Sequence, residues 1–218
     1  FVFAPSSVQE MVDMVTLAFD KADEYRMPAM ILADGLLGQM MEPVTFPEPL
    51  ETLPDKSDWA TNGHQNKRAH HIINSLYLDP AELEAKVKER FKRYAIVEEK
   101  ETRAESYLCD DAEIVVTAYG ASARVAKSAV NTARKAGIKA GLFRPITLWP
   151  FPKKELQAAT KSATHILEVE MSMGQMVDDV RLATECRIPV SFFGRTGGVI
   201  PTPGEVLAEL KKLAGGAE

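Results

Sequence analysis

Cysteine is scarce. The 218 residues hold two, Cys109 and Cys186, 77 positions apart and in no CxxC pair. That excludes a structural disulfide framework. It also excludes an iron–sulfur cluster, which needs about four closely organised thiolates. Two reduced thiols in a cytoplasmic protein are the expectation. Positive charge is short as well: 26 Lys and Arg stand against 31 Asp and Glu, a net charge of -5. No basic stripe is present, which argues against nucleic acid as a partner. No apolar run approaches the ~20 residues of a membrane-spanning helix, so no membrane role is expected. No signal peptide is visible. The chain opens on "FVFAP" without a methionine and is expected to be a fragment.

What remains is ordinary globular composition, 45% hydrophobic and 26% charged, enough for one large or two small domains. Residues 1–46 read as the end of an α/β domain. Ser7 and Glu10 form a capping box. Val8, Met11, Val12, Val15, Phe19 and Ala22 recur at helical spacing and predict one apolar face. Pro28 ends the helix, and "AMILADG" reads as a buried strand closed by Gly35. One helix and one strand do not make a domain, so partner strands are expected from sequence before Phe1 or from another chain. Residues 47–108 read as an extended, proline-rich polar linker. One charged surface helix follows it, opened by Asp79, Pro80 and Glu82, with Leu83, Val87, Phe91 and Tyr94 on its narrow apolar side.

Residues 109–218 alternate strands and helices. "EIVVTAYG", "KAGLFR", "HILEVE" and "VSFFG" are predicted strands, separated by helices; Gly137 caps one helix, and Thr202, Pro203 and Glu205 cap the last. That order predicts a parallel sheet covered on both faces, a three-layer αβα domain. Ligands and partners then gather where strands end and helices begin.

The stretch "FRPITLWPFP", Phe143–Pro152, breaks the pattern. Three prolines argue against a helix or a central strand, yet the stretch is too apolar for a solvated loop. It reads as a rigid connection on the functional edge of the sheet. Trp149 and Phe151 are expected to anchor a domain or subunit interface. Arg144 is placed to pair with an acidic group across it or with an anionic ligand; the sequence does not choose.

Three constellations bear on chemistry. Gly120-Ala121-Ser122-Ala123-Arg124 follows a strand and opens a helix, the context of a nucleophile elbow. Arg124 stands where that motif needs its second glycine, so anion binding by free amides and Ser122 at the helix N-terminus is the better use, with Gly120 and Ser122 as candidate residues. "ADG" at 33–35 with Asn62 downstream resembles the Mg²⁺–diphosphate motif of thiamine diphosphate enzymes, but Ala33 replaces its first glycine, and the metal is expected elsewhere. His64, His70 and His71 have no carboxylate at helical spacing, and a polar linker face is the simpler reading. No catalytic residue and no metal ligand are assigned.

"ILADGLLGQMMEPV", "AYGASARVAKSAV", "LFRPITLWPFP", "EVEMSMGQMVDDVRLA" and "GRTGGVIPTPGE" together resemble the α subunit of 2-oxoacid:ferredoxin oxidoreductases. The branched-chain 2-oxoisovalerate type is most similar and the 2-oxoglutarate type is close. The resemblance implies the tail of a thiamine-diphosphate pyrimidine-binding domain, a linker, and a transketolase C-terminal-like domain. It also implies thiamine diphosphate and Mg²⁺ held by a β subunit, iron–sulfur clusters on a ferredoxin-like subunit, further subunits, ferredoxin as electron acceptor and coenzyme A as acyl acceptor. Nothing in the chain matches the region that supplies the cofactor-activating Glu, so no cofactor is expected on this chain alone. A non-enzymatic interaction module, or a subunit of another thiamine enzyme such as a branched-chain 2-oxoacid dehydrogenase β type, remains open.

Overall fold

The computed structural model describes residues 1–48 and 52–215; three positions of the expected linker and the last three of the expected C-terminal domain lie outside them. The chain opens with a short strand, β1 (Val2–Phe3). Helix α1 (Val8–Tyr25) follows, with Ser7 accepting from the Glu10 amide at 3.1 Å. Strand β2 (Met30–Ile31) lies parallel to β1. Helix α2 (Gly35–Gln39) is capped by Asp34, and α3 (Pro80–Lys100) by Asp79 with a proline in its first turn.

The face that α1 buries is not the one its spacing singled out. Val15 and Phe19 are 48% and 71% exposed, while Met14 and Ala18 are buried. The helix carries two apolar stripes, and the one through Met14 and Ala18 meets Phe1, Phe3 and Val97. Val97 is fully buried, so α3 contributes to a core at its C-terminal end, where the sequence placed it on a surface. The capping box is half formed. Glu10 turns its carboxylate to the Ser6 amide at 2.8 Å instead of returning it to Ser7.

The remaining elements are β3 (Ala104–Tyr107), β4 (Ile114–Thr117), α4 (Gly120–Lys135), β5 (Ala140–Pro145), β6 (Thr147–Trp149), α5 (Lys153–Ala159), β7 (His165–Glu170), α6 (Met176–Ala183), β8 (Val190–Gly194) and α7 (Pro203–Leu213). Five of the strands form one sheet in the order β3-β5-β4-β7-β8. The four predicted strands are β4, β5, β7 and β8, and they run parallel. All four residues of β4 are buried, as an apolar run covered on both faces requires. Val206 and Leu210 of α7 pack with the α4 alanines on one face. Leu156, Met176 and Val180 of α5 and α6 cover the other. Burying a side chain such as Leu210 contributes roughly 2 kcal/mol. Strand β3 is an addition: it joins the sheet antiparallel to β5, although the sequence placed it in the linker.

The proline-rich stretch is also more regular than expected. Strand β5 continues through Arg144 to Pro145, and β6 follows at once. β6 forms the edge of a second sheet of order β2-β1-β6, pairing antiparallel with β1. Pro145 and Pro150 stand at strand ends, where the missing N–H costs no ladder bond. The N-terminal βαβ piece therefore takes one partner strand, β6, from this same chain.

A candidate functional site at the carboxyl edge of the sheet

In an open parallel sheet, the crevice for ligands opens beside the carboxyl ends of the strands where their order reverses. In this fold the reversal lies between β4 and β7. The first turns of α4 and α6 face it, and each presents backbone N–H groups that favour an anion. In each, a carboxylate of the chain already engages part of the first turn. Asp34 accepts from the Leu37 amide at 2.8 Å through one oxygen and from the Ala121 amide at 3.0 Å through the other. It thus caps α2 and α4 together. Gly120 has a φ of 58°, and a Cβ there would sit 3.0 Å from Asp34 Oδ2, so glycine permits this approach. Glu170 does the same for α6, accepting from Gln175 and Val177 amides at 3.1 Å and from Ser172 Oγ at 2.9 Å.

The candidate anion-site residues Gly120 and Ser122 lie at this helix start, where Asp34 engages the Ala121 amide between them and Ser122 is 3% exposed. Nothing in the sequence linked Asp34 to Ala121, which lie 87 positions apart. The same observation tests the cofactor. Asp34 is engaged by two helix N-termini, and Asn62 Oδ1 accepts from Arg68 at 3.0 Å. Among the described residues, no group of three His, Cys, Asp or Glu is arranged to hold a metal. The "ADG…N" donors do not fit Mg²⁺–diphosphate. Beside Asp34 a cavity of 360 Å³ remains, where Leu36 and Gln39 face Met171, Arg195 and Val199.

Beneath this edge lies a buried carboxyl. Glu168 is fully buried, accepts from the Thr117 hydroxyl, and leaves Oε1 without a partner. Burial pushes it well above the usual carboxylate range, opposed by the Thr117 bond and reinforced by Glu170 and Asp179. Tyr119, half-buried, is raised by burial and by Glu170, Glu168 and Asp34. Glu168 sets a pH dependence. Its folded value lies above the unfolded one of about 4.3, so its contribution is complete below that pH and is lost as pH rises through the folded value. Glu168→Gln removes the titration. Thermal melts between about pH 5 and 8 should show a smaller loss of stability with rising pH in the variant; parallel slopes would show that Glu168 is not the titrating group.

The interface candidates lie at the junction of the N-terminal βαβ piece and the large sheet. Arg144, 4% exposed, forks onto Glu10 with two 2.8 Å bonds, reaches Ser6 Oγ at 2.8 Å and donates to Glu105 at 3.0 Å. Arg124 holds Glu42 at 2.8 Å, whose other oxygen accepts from the Val8 amide. Trp149 packs edge-on to Phe1 and Tyr94, with ring centroids 6.2 and 5.4 Å apart. Phe151 packs against the core beneath α5 and α6. The rings of His64 and His70 lie 3.9 Å apart, tilted by 38°, and His71 meets the Ala60 carbonyl.

Residues 1–110 match the model of the pyruvate flavodoxin/ferredoxin oxidoreductase thiamine diphosphate-binding domain. The chain belongs to that oxidoreductase family. Residues 112–206 match the core domain II of pyruvate:ferredoxin oxidoreductase. The ketoisovalerate oxidoreductase subunit VorB of Methanothermobacter marburgensis is 47% identical over 98% of this chain. The 2-oxoglutarate synthase subunit KorA of the same organism is 30% identical over 95% of it. The chain spans 60% and 62% of those two relatives. In fold it is similar to a 2-oxoglutarate:ferredoxin oxidoreductase from Magnetococcus marinus, whose structure holds 2-oxoglutarate, coenzyme A and succinyl-CoA. That likeness has a TM-score of 0.77 at 19% identity and covers 97% of this chain and 41% of the other. A split-gene transketolase, an inactive β4 tetramer, aligns with a TM-score of 0.54 at 16% identity, over 97% of this chain and 56% of its own. The expected α/β architecture with a transketolase-like sheet is the one observed.

Proposed function

We propose that the chain is part of the α subunit of a thiamine-diphosphate-dependent 2-oxoacid:ferredoxin oxidoreductase. The enzyme converts a 2-oxoacid, coenzyme A and oxidised ferredoxin to an acyl-CoA, CO₂ and reduced ferredoxin. The observation that carries this reading is the 47% identity to a ketoisovalerate oxidoreductase subunit across nearly the whole chain. The same likeness favours 2-oxoisovalerate as substrate over 2-oxoglutarate or pyruvate. Because Asp34 and Glu170 already engage the helix N-termini at the sheet edge, the diphosphate and Mg²⁺ are assigned to a β subunit. Iron–sulfur clusters are assigned to a ferredoxin-like subunit. This chain supplies scaffold and docking surface, with Trp149 and Phe151 anchoring an interface. The location is cytoplasmic.

The test is dye reduction by the co-produced complex. With thiamine diphosphate, Mg²⁺ and coenzyme A, 2-oxoisovalerate should reduce a viologen, and the purified chain alone should reduce none. Turnover with pyruvate or 2-oxoglutarate but not with 2-oxoisovalerate would reject the substrate. A complex that assembles yet reduces dye with no 2-oxoacid would reject the activity and favour a non-enzymatic module.

A further inference from the structure

Between the end of α3, the β6–α5 connection and α6 lies an open groove of 440 Å³. Its floor is apolar: Trp149, Phe151 and Ala183, with Leu182, 71% exposed, standing at one side. Its walls are acidic. Glu98 and Glu99 come from the last turn of α3, Glu155 from α5 and Asp179 from α6. Two lysines share the rim, and Lys153 is drawn to Glu185 at 3.6 Å. Glu155 accepts from Thr102 at 2.7 Å. Among the described residues, Glu98, Glu99 and Asp179 have no basic group within 4.0 Å.

A half-buried apolar floor walled mainly by carboxylates, three of them without a basic partner, has a defined complement. An apolar side chain covers the floor, and cationic groups beside it meet the walls. We propose that this groove docks a segment of another subunit of the oxidoreductase, one carrying Lys or Arg beside a large apolar residue. The proposal rests on the multi-subunit reading above. A second copy of this chain is the poorer occupant, since its own charge is -5. Trp149 and Phe151 are held from behind by Phe1, Tyr94 and the α5–α6 core. The floor is therefore ordered before docking, which lowers the entropy lost on association.

Carbodiimide coupling of the assembled complex tests this. The reagent joins carboxylates to nearby lysines, and glycine ethyl ester caps those left open. Glu98, Glu99 or Asp179 should couple to a lysine of a different subunit and escape capping in the complex but not in the isolated chain. Glu98→Lys with Glu99→Lys, both exposed, should weaken that subunit's binding at least tenfold while the isolated chain melts unchanged. Equal capping in complex and isolated chain would overturn the proposal, as would cross-links only within the chain or to a second copy. So would tight binding by the double variant. If the complex assembles and reduces dye but the carboxylates stay open, this inference alone fails; if no complex forms, the functional reading fails with it.

Discussion

Replacing Arg144 with methionine should destabilise the protein by about 3 kcal/mol, because it strips a buried charge from two carboxylates that depend on it. Methionine keeps the apolar stem and its packing, so the loss measures the guanidinium. Glu10 is 32% exposed and Glu105 36%, and water partly compensates them, which keeps the figure below the upper end for a broken buried pair. Lysine at 144 should recover less than half, since a point charge does not reproduce the fork onto both Glu10 oxygens. The pH dependence has a clear sign. Burial alone would raise Glu10; the Arg144 hydrogen bond, the Ser6 amide and the Arg144 charge overcome it and leave the carboxyl below its usual range. Glu105 is lowered by Lys127, against burial, and by Arg144. A folded value below the unfolded one, about 4.3, contributes stability above that pH and loses it as pH falls through the folded value. The Arg144→Met protein should therefore lose less stability than the parent below about pH 4. Urea unfolding from pH 3 to 7 measures both effects. An unchanged midpoint at pH 7 would show that the junction does not rely on this fork.

Asp34→Ala should cost about 2 kcal/mol, the sum of two helix caps at ~1 kcal/mol each. For a chain of this size that is a fall of roughly 4–8 °C in melting temperature. Asp34→Asn is the informative companion. Its amide retains one acceptor oxygen, so it satisfies either Leu37 or Ala121 but not both, and should lose about half as much. Hydrogen exchange locates the effect. The Leu37 and Ala121 amides, donors to Asp34 at 2.8 and 3.0 Å, should exchange faster in the alanine variant, while the amides of β4 keep their protection. Uniform acceleration across the sheet would mean that Asp34 supports the whole core and not two helix ends.

The local rules served the sequence where the cause is local. Caps at Asp79 and Thr202, the glycine after α4, and four apolar runs ordering a parallel sheet are each decided within a few residues of chain. A helix end is set by its own four orphan amides, and a buried strand by its own composition. Family membership was legible too, through short motifs spread along the chain. The contacts that shape the site have no such signature. Arg144 reaches Glu10 across 134 positions, and Asp34 reaches Ala121 across 87. No periodicity encodes them, because each partner looks like an ordinary surface charge until the fold removes water from around it. The same holds for α1. Two apolar stripes were present, and only the position of Phe1, Phe3 and Val97 decided which was buried. Composition and spacing determined which elements form. Tertiary structure decided which charges meet, since a carboxylate at a helix end or against a buried guanidinium draws its energy from a place the chain reaches only once it is folded.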